Sequence, residues 1–185
     1  MQKYPAFSMS RYESRKIVLL GVLVALQTIF SNTLGIRTPI MKISFGFFPL
    51  ILAAMLLGPF YAAIGASLAD IIGFFLFQTG TFFPGYTLSA FLSGLVYGFF
   101  LYGRPVKLWR VIVSVSIVKL ILHLGLNTYW TYIAFVKNGF WALFLKRVVP
   151  EFLQIPIQVV FICLLASRIC AAFPEFPANK SADAK

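Results

Sequence analysis

Two sets of polar side chains recur at helical spacing within the apolar segments of the second half of the chain. The first polar stripe consists of Lys119, His123, Asn127 and Trp130, spaced four, four and three residues apart. The second polar stripe consists of Arg147, Glu151, Gln154 and Gln158, spaced four, three and four residues apart. Residues three or four apart share one face of a helix, so each stripe lies on a single face. Two such stripes that oppose each other in a helical bundle predict a binding site for a polar solute.

An alternative interpretation is that these residues only satisfy one another. Lys119 could pair with Asp70 or Glu151, and the glutamines could bond the carbonyl groups freed beside Pro150 and Pro156. For any single residue the two interpretations are equally good. For the two stripes together we favour a site, because ionisable groups inside a membrane are costly and these cluster toward the outer half. Asp70, which has small residues around it, is assigned to bonding between helices.

Signatures of catalysis are missing from the sequence. Ser67 or Ser89 could be combined with His123 and Asp70 on paper, but no nucleophile-elbow motif and no pair of acids accompanies them. There is also no phosphate-binding Gly-x4-Gly-Lys-Ser/Thr loop, so the chain cannot hydrolyse ATP by the usual route. We therefore predict no catalytic residue and no enzyme activity of its own. Any uphill transport must take its energy from another protein.

The cysteines, Cys163 and Cys170, indicate neither a disulfide nor a metal site. They are seven residues apart on one predicted helix, which separates their backbones by about 10 Å, too far for a disulfide. Both are assigned to packing. Together with the single histidine they make no zinc site, so we predict no metal and no cofactor.

The overall composition is that of a membrane protein with several spans. Hydrophobic residues make up 60% of the chain, charged residues only 11%, and the mean hydropathy is +0.89. These values exclude an ordinary soluble domain. The net charge of +11 comes from basic residues scattered at segment ends, so nucleic acid is not the expected partner. The length of 185 residues leaves room for one integral membrane domain, residues 1–185, and for no separate soluble domain.

The pattern of apolar segments predicts a compact, all-α bundle of six transmembrane helices. The predicted spans are 17–34, 43–57, 60–77, 86–102, 111–134 and 146–171, with short polar tails at 1–16 and 174–185. In this arrangement ten Lys and Arg residues lie inside, five lie outside and Lys119 lies within a span. The bias places both termini in the cytoplasm. Five basic residues outside are more than expected from the rule that basic residues prefer the cytoplasmic side. They would attract an anionic solute from outside.

Several motifs resemble the substrate-binding S components of energy-coupling factor (ECF) transporters. They are the run Lys42-Ile-Ser-Phe-Gly-Phe-Phe-Pro49, then Gly58-Pro59, Ala69-Asp70 with Gly73, the run Phe83-Pro-Gly-Tyr-Thr-Leu-Ser89, and Gly94 to Gly98. The run Asn127-Thr-Tyr-Trp130, followed by a basic pair near the start of the last helix, is similar to the folate-specific branch. Branches for riboflavin, thiamine and other vitamins share the Pro-Gly-x-Thr segment. The resemblance covers residues 15 to 165.

This resemblance implies a multi-pass protein of the bacterial plasma membrane with a vitamin site that opens outward. It also implies the partners of such a protein, which are a transmembrane coupling subunit and two ABC-type ATPases. The usual coupling contact is a small-x-x-x-small pair on the first helix. Gly21 and Ala25 match it, with glycine in place of the usual first alanine. Glycine preserves the close approach between helices.

Folate suits the remaining chemistry of the chain. Its flat rings need aromatic walls, for which the candidates are Phe45, Phe82, Phe83, Tyr129 and Trp130. Its glutamate tail carries two carboxylates, for which the candidate basic partners are Arg37, Lys42 and Arg147. The pterin edge offers donors and acceptors, and the candidates for reading it are His123, Asn127, Glu151, Gln154 and Gln158.

Two rival classes are a self-sufficient secondary transporter and an intramembrane enzyme. The transporter would need coupling acids near the midplane and usually a repeated topology, and the sequence contains neither. The enzyme would show turnover, whereas a binding subunit saturates without product. An S component for another vitamin is the nearest alternative.

Overall fold

The computed structural model describes residues 11–33, 36–37, 42–43, 45–77, 82–103, 107–135 and 140–172. Helices account for nearly all of this part of the chain. They are α1 (Arg11–Asn32), α2 (Phe47–Leu57), α3 (Pro59–Phe77), α4 (Pro84–Leu101), α5 (Leu108–Ser116), α6 (Asn127–Phe135) and α7 (Phe140–Ala172), with a π-helical segment, Ile117–Leu126, that joins α5 to α6. Two short strands, β1 (Ile36–Arg37) and β2 (Lys42–Ile43), pair antiparallel between α1 and α2.

Five of these helical segments are long and apolar enough to cross a membrane. They are α1, α3, α4, α7 and the continuous helix formed by α5, the π-helical segment and α6, which we call the fifth span. The remaining segment, α2, has 11 residues. At 1.5 Å per residue it is about 16 Å long, which is roughly half of a hydrocarbon core of about 30 Å. The structure therefore agrees with a helical membrane bundle, but only five of the six predicted spans have full length.

The predicted second span, 43–57, is wrong at its start. Ile43 belongs to β2, Phe45 and Gly46 form a turn, and α2 begins only at Phe47. Gly46 lies against α1, where an added Cβ atom would collide with the hydroxyl group of Ser31. Hydropathy does not distinguish these strand and turn residues from a helix, so the apolar run predicted a span that was too long.

The helices at both ends of the bundle begin earlier than predicted. α1 begins at Arg11 rather than at residue 17, and α7 begins at Phe140 rather than at residue 146. Residues 11–16 of α1 are mostly polar, so hydropathy does not mark them as part of the helix. Residues 140–145 of α7 are apolar, and the prediction began the helix too late because it placed the start at the basic pair, residues 146 and 147. α7 also continues through Pro150 and Pro156 and has 33 residues, which corresponds to about 50 Å.

α1 and α3 run parallel to each other. The ammonium group of Lys16 lies 5.7 Å from the ring centre of Tyr61 near the start of both helices. Farther along, the hydroxyl group of Thr28 donates to the carbonyl of its own helix at Val24 (2.9 Å) and to the carbonyl of Ala69 on α3 (3.3 Å). Between two parallel membrane helices the chain must return to the side of the membrane where the first helix began. The strands and the short helix α2 make part of this return.

α3 and α4 pack most closely of all the helices, antiparallel to each other. An added Cβ atom at Gly94 would lie 2.6 Å from the backbone of Ala62 and Ala63. The alanines at 62, 66 and 69 are all buried. Small residues on both helices therefore let the two backbones approach, as is common between membrane helices.

The break between α2 and α3 occurs at Gly58, as the Gly-Pro pair predicts. Gly58 has a φ of 94°, which favours glycine, and Pro59 begins the next helix. The ring of Tyr102, just after α4, lies 3.4 Å from the position of a Cβ atom at Gly58. This contact places the α2–α3 turn and the end of α4 at the same face of the bundle.

The fifth span contains a ten-residue π-helical segment that the sequence did not predict. The backbone N–H of Asn127 donates to the carbonyl of Leu122, five residues earlier, instead of the four of an α-helix. Lys119 and His123 of the first polar stripe lie within this segment. Such segments are rare and often occur at functional sites.

Candidate binding site

The two polar stripes meet in the structure through Lys119. Its ammonium group donates to Gln154 Oε1 on α7 at 2.7 Å and lies 3.1 Å from Glu151 Oε2. Lys119 is only 4% exposed and Gln154 only 5% exposed. The predicted opposition of the stripes is thus confirmed at these three residues. Lys119 pairs with Glu151 rather than with Asp70, which is a pairing that the alternative interpretation also named.

Glu151 lies between the lysine and the histidine of the first stripe. Its Oε2 forms an ion pair with the ammonium group of Lys119 at 3.1 Å. Its other oxygen, Oε1, lies 3.9 Å from Nδ1 of His123. The side chain of His123 is partly exposed, whereas that of Glu151 is mostly buried. The carboxylate therefore has one oxygen toward the lysine and one toward the more open side.

Gln158, the last residue of the second stripe, faces α4 instead of the fifth span. Its Oε1 accepts a hydrogen bond of 3.4 Å from the hydroxyl group of Tyr97, and both residues are buried. Gln158 therefore contributes to contact between α4 and α7. Only the two middle residues of the second stripe, Glu151 and Gln154, have a described contact with the first stripe.

An aromatic wall stands where the start of α4 meets α6. The rings of Phe83 and Trp130 are 5.6 Å apart. Gly85 permits this approach, because a Cβ atom there would lie 2.6 Å from the indole ring. Next to it, the hydroxyl groups of Tyr86 and Thr131 are hydrogen bonded at 2.8 Å. The Pro-Gly-Tyr-Thr segment thus fixes the position of Trp130.

Three buried polar atoms beside this wall have no hydrogen-bond partner among the described residues. They are Asn127 Oδ1, Thr128 Oγ1 and Trp130 Nε1. A buried donor or acceptor left unpaired is unfavourable, so these three atoms are candidates for hydrogen bonds to a ligand. Asn127 and Trp130 were predicted. Thr128 was not named as a candidate, although it lies within the Asn127–Trp130 run.

Other predicted aromatic residues lie farther from this wall. Tyr129 is 49% exposed, although its ring is 5.4 Å from that of Trp130. Phe45 packs against Phe47 at the turn before α2, with the rings 6.3 Å apart. Phe82 contacts Phe74 of α3 at 5.2 Å between ring centres. Of these three residues, only Tyr129 has a described ring contact with a residue of the wall.

The predicted basic residues occupy the β1–β2 pair and the beginning of α7. Arg37 and Lys42 are direct partners across the two strands. Their side chains lie outside the described part of the structure. Arg147 is half-buried, one turn before Glu151 on α7. The strand pairing thus brings the backbones of two of the three candidates together.

Asp70 bonds to another helix, as its sequence assignment predicts. The hydroxyl group of Thr87 on α4 donates to its Oδ2 at 2.8 Å. Three successive residues thus meet three different partners: Gly85 lies against Trp130, Tyr86 bonds Thr131 and Thr87 bonds Asp70. The acid therefore holds the start of α4 against α3.

An apolar groove of about 500 Å³ runs between α1 and α3 on the outside of the bundle. It is lined by Ile17, Leu20, Gly21, Val24, Ala25, Thr28, Ile29, Leu68, Ile72, Leu76 and Phe77. Gly21 and Ala25 are both exposed, and an added Cβ atom at Gly21 would meet nothing within 4 Å. The pair therefore does not pack inside the bundle.

A comparison with protein-family models gives a match over residues 15–166 to the ECF transporter, substrate-specific component. The chain belongs to this family. The match covers most of the residues from α1 to α7, including the site and the α1–α3 groove. No three His, Cys, Asp or Glu side chains in the described part of this S component lie close enough together to hold a metal ion.

Curated relatives and a solved structure resemble this S component over most of its length. The folate transporter FolT of Clostridium novyi is 36% identical over 146 residues, which are 79% of this chain and 84% of that protein. FolT of Leuconostoc mesenteroides is 34% identical over 155 residues, covering 80% of this chain and 83% of that protein. The crystal structure of FolT bound with folic acid matches with a TM-score of 0.79 and 34% identity, covering 84% of this chain and 94% of that chain.

Proposed function

We propose that the protein is the folate-binding subunit of an ATP-driven ECF-type uptake transporter. It captures folate from outside and delivers it inward together with a transmembrane coupling subunit and two ABC-type ATPases. The names of the two relatives and the folic acid in the matching solved structure support folate as the solute. The protein itself performs no chemistry in this scheme.

The observation that carries the proposal is the aromatic wall with unpaired polar atoms beside it. Phe83 and Trp130 provide flat apolar surfaces, while Asn127 Oδ1 and Trp130 Nε1 are buried without partners in the described part of the chain. A pterin ring offers both a flat face and a polar edge. It would stack on the wall and supply the missing hydrogen bonds.

The residues predicted to bind folate are assigned to three parts of the molecule. At the pterin edge we place His123, Asn127, Glu151, Gln154 and Gln158. Around the rings we place Phe45, Phe83, Tyr129 and Trp130. For the glutamate tail we propose Arg37, Lys42 and Arg147, since cationic side chains form strong charge-assisted bonds with carboxylates.

We propose the α1–α3 groove as the contact with the coupling subunit. Gly21 and Ala25 are exposed in an apolar groove, so a partner helix could approach the backbone of α1 closely. The small-residue ridge at positions 62, 66 and 69 is buried within the bundle, which makes it unsuitable for this contact.

The protein works in the bacterial plasma membrane with both termini in the cytoplasm. The inner excess of Lys and Arg supports this orientation. It places the β1–β2 pair and the start of α7 at the outer face, where folate arrives. Basic residues at this face attract the folate dianion.

Calorimetry on the purified full-length protein tests the solute, with folate, riboflavin and thiamine as ligands. We expect saturable binding of folate and none of the other two. Binding of riboflavin or thiamine instead would assign the chain to another vitamin. Uptake of folate into liposomes should require ATP and the partner subunits, whereas uptake by the protein alone would identify a secondary transporter.

A further inference from the structure

The buried face of the fifth span changes direction within the π-helical segment. In the first part of the span four buried side chains recur at spacings of four, three and four residues, as in an α-helix: Val111, Val115, Val118 and Leu122. The same repeat would bury Tyr129 and Ile133, which lie seven and eleven residues after Leu122. Both are instead well exposed, at 49% and 45%. The inward face of α6 is therefore not the continuation of the inward face of α5.

Other side chains occupy the interior in the second part of the span. Leu124 is 5% exposed and Thr128 is 0% exposed. In an α-helix Leu124 would lie on the face opposite Leu122, because two residues make more than half a turn. Both leucines are buried, so the chain turns less between them than an α-helix does.

The contacts of the first polar stripe change direction in the same way. Lys119 and Trp130 are eleven residues apart, which is about three turns of an α-helix, so an unbroken α-helix would present both to the same neighbour. In the structure they meet different helices. Lys119 lies 3.1 Å from Glu151 on α7, whereas the ring of Trp130 lies 5.6 Å from that of Phe83 at the start of α4.

The wider turn of a π-helix accounts for both observations. The N–H of Asn127 bonds to the carbonyl five residues earlier, and such a helix has about 4.4 residues per turn, compared with 3.6 in an α-helix. The ten residues Ile117–Leu126 therefore make about 2.3 turns instead of about 2.8. As a result, α6 is rotated by about half a turn relative to its direction in an unbroken α-helix.

We propose that the π-helical segment is a positioning element that holds two surplus residues and thereby turns Trp130 toward Phe83. The inference rests on the proposed folate function, because these two rings form the aromatic wall. Eight residues of α-helix make about 2.2 turns over about 12 Å, which nearly equals the ten π-helical residues with about 2.3 turns over about 11.5 Å. An α-helix shorter by two residues therefore presents α6 in the same direction and at the same height.

Deletions within the segment test the proposal, with folate binding to the purified full-length variants measured by calorimetry. Ile121 is 61% exposed, Leu120 is partly exposed, and neither is assigned to folate. The variant that lacks both residues should bind folate within about threefold of the original affinity. The variant that lacks Ile121 alone leaves α6 about a quarter turn away from the wall. It should lose about tenfold or more in affinity, because the stacking surface is misplaced.

Thermal unfolding in detergent measures the same effect without a ligand. The two-residue deletion should have a midpoint close to that of the original protein and above that of the one-residue deletion. A variant that lacks Ile71 and Ile72 of α3 is the matched control, since these residues are also partly or well exposed but lie in an ordinary α-helix. Their loss turns the end of α3 by more than half a turn, so the midpoint should fall. A merely structural need for an intact segment predicts the opposite order, with the larger deletion more harmful.

The other outcomes overturn different statements. A two-residue deletion that does not fold, or that binds folate no better than the one-residue deletion while the original protein binds tightly, would overturn the positioning role of the segment. Original affinity in both deletion variants would show that the direction of α6 does not matter for binding, which also overturns it. No folate binding by the unaltered protein would overturn the proposed function, and the unfolding midpoints would then still test the two surplus residues.

Discussion

At the scale of single residues, Arg147 is the clearest candidate for the glutamate tail of folate. It is half-buried and lies one turn before Glu151. Arg147→Ala should weaken folate binding by about ten- to a hundredfold, because a charge-assisted hydrogen bond contributes about 1.5 to 3 kcal/mol. A pterin without the glutamate tail should lose less affinity. Calorimetry with the two ligands measures both effects.

The neighbouring residue provides a matched control for Arg147. Lys146→Ala removes the same charge from an exposed position, where an ionic contact contributes at most about 1 kcal/mol. Its effect on folate binding should be small. If Arg147→Ala reduces the affinities for both ligands equally, the arginine does not bind the tail and acts through general electrostatics or structure.

Trp130 should act on every ligand that contains an aromatic ring. Trp130→Ala removes the stacking surface opposite Phe83, so folate and a tail-less pterin should both bind less tightly. Trp141→Ala is the control, because that indole is 73% exposed on α7. Wild-type affinity for folate in a folded Trp130 variant would make this residue an interfacial anchor only.

The contact between the two polar stripes was predictable from residue spacing alone. Lys119, Glu151 and Gln154 were expected to oppose each other because of their helical register, and the structure brings them together. Sequence spacing cannot show that the oxygen of the Gln154 amide faces the lysine. Nor does it show that Gly85 is where Trp130 packs, because that contact joins α4 to α6 across 45 residues of chain.

At the scale of helices, the contact between α3 and α4 should depend on Gly94. In Gly94→Ala the new methyl group would lie 2.6 Å from the backbone of Ala62 and Ala63, which cannot move aside as a flexible side chain can. Overpacking of this kind costs about 1 to 3 kcal/mol. Thermal unfolding in detergent should show a lower midpoint for this variant.

Gly21→Ala is the matched control for Gly94→Ala. Both glycines lie within membrane helices, but an added Cβ atom at Gly21 meets nothing within 4 Å. This variant should be as stable as the original protein, or slightly more so because alanine has the higher helix propensity. Equal midpoints for the two variants would mean that α3 and α4 can separate at no cost.

The helices themselves were predictable where hydropathy alone determines them. The break at Gly58 was predicted because glycine and proline mark it locally. The late start of α2 was not, since hydropathy shows neither the local pairing of β2 with β1 nor the packing of Gly46 against Ser31 of α1. The π-helical segment of the fifth span was not predictable either, because its side-chain pattern is as apolar as that of an α-helix.

At the scale of the whole molecule, the proposed binding site and the α1–α3 groove share no residue. The proposed site involves the β1–β2 pair and the turn after it, α4, the fifth span and α7, whereas Gly21 and Ala25 lie on the exposed face of α1. Binding and coupling should therefore be separable by mutation. A substitution in the groove can obstruct a partner helix without reaching folate.

Gly21→Trp and Ala25→Trp test this separation. Each indole would fill the groove and hold a partner helix away, and association of membrane helices depends on close packing. Folate affinity of the isolated variants should stay within about twofold of the original value, while ATP-driven uptake by the reconstituted complex should collapse. Val160→Trp, at an exposed position on α7, is the control and should retain uptake.

Undiminished uptake in a folded Gly21 or Ala25 variant would exclude this face of α1 as the coupling surface. A joint loss of binding and uptake would contradict the independence of the two regions, because the groove would then be needed to maintain the site.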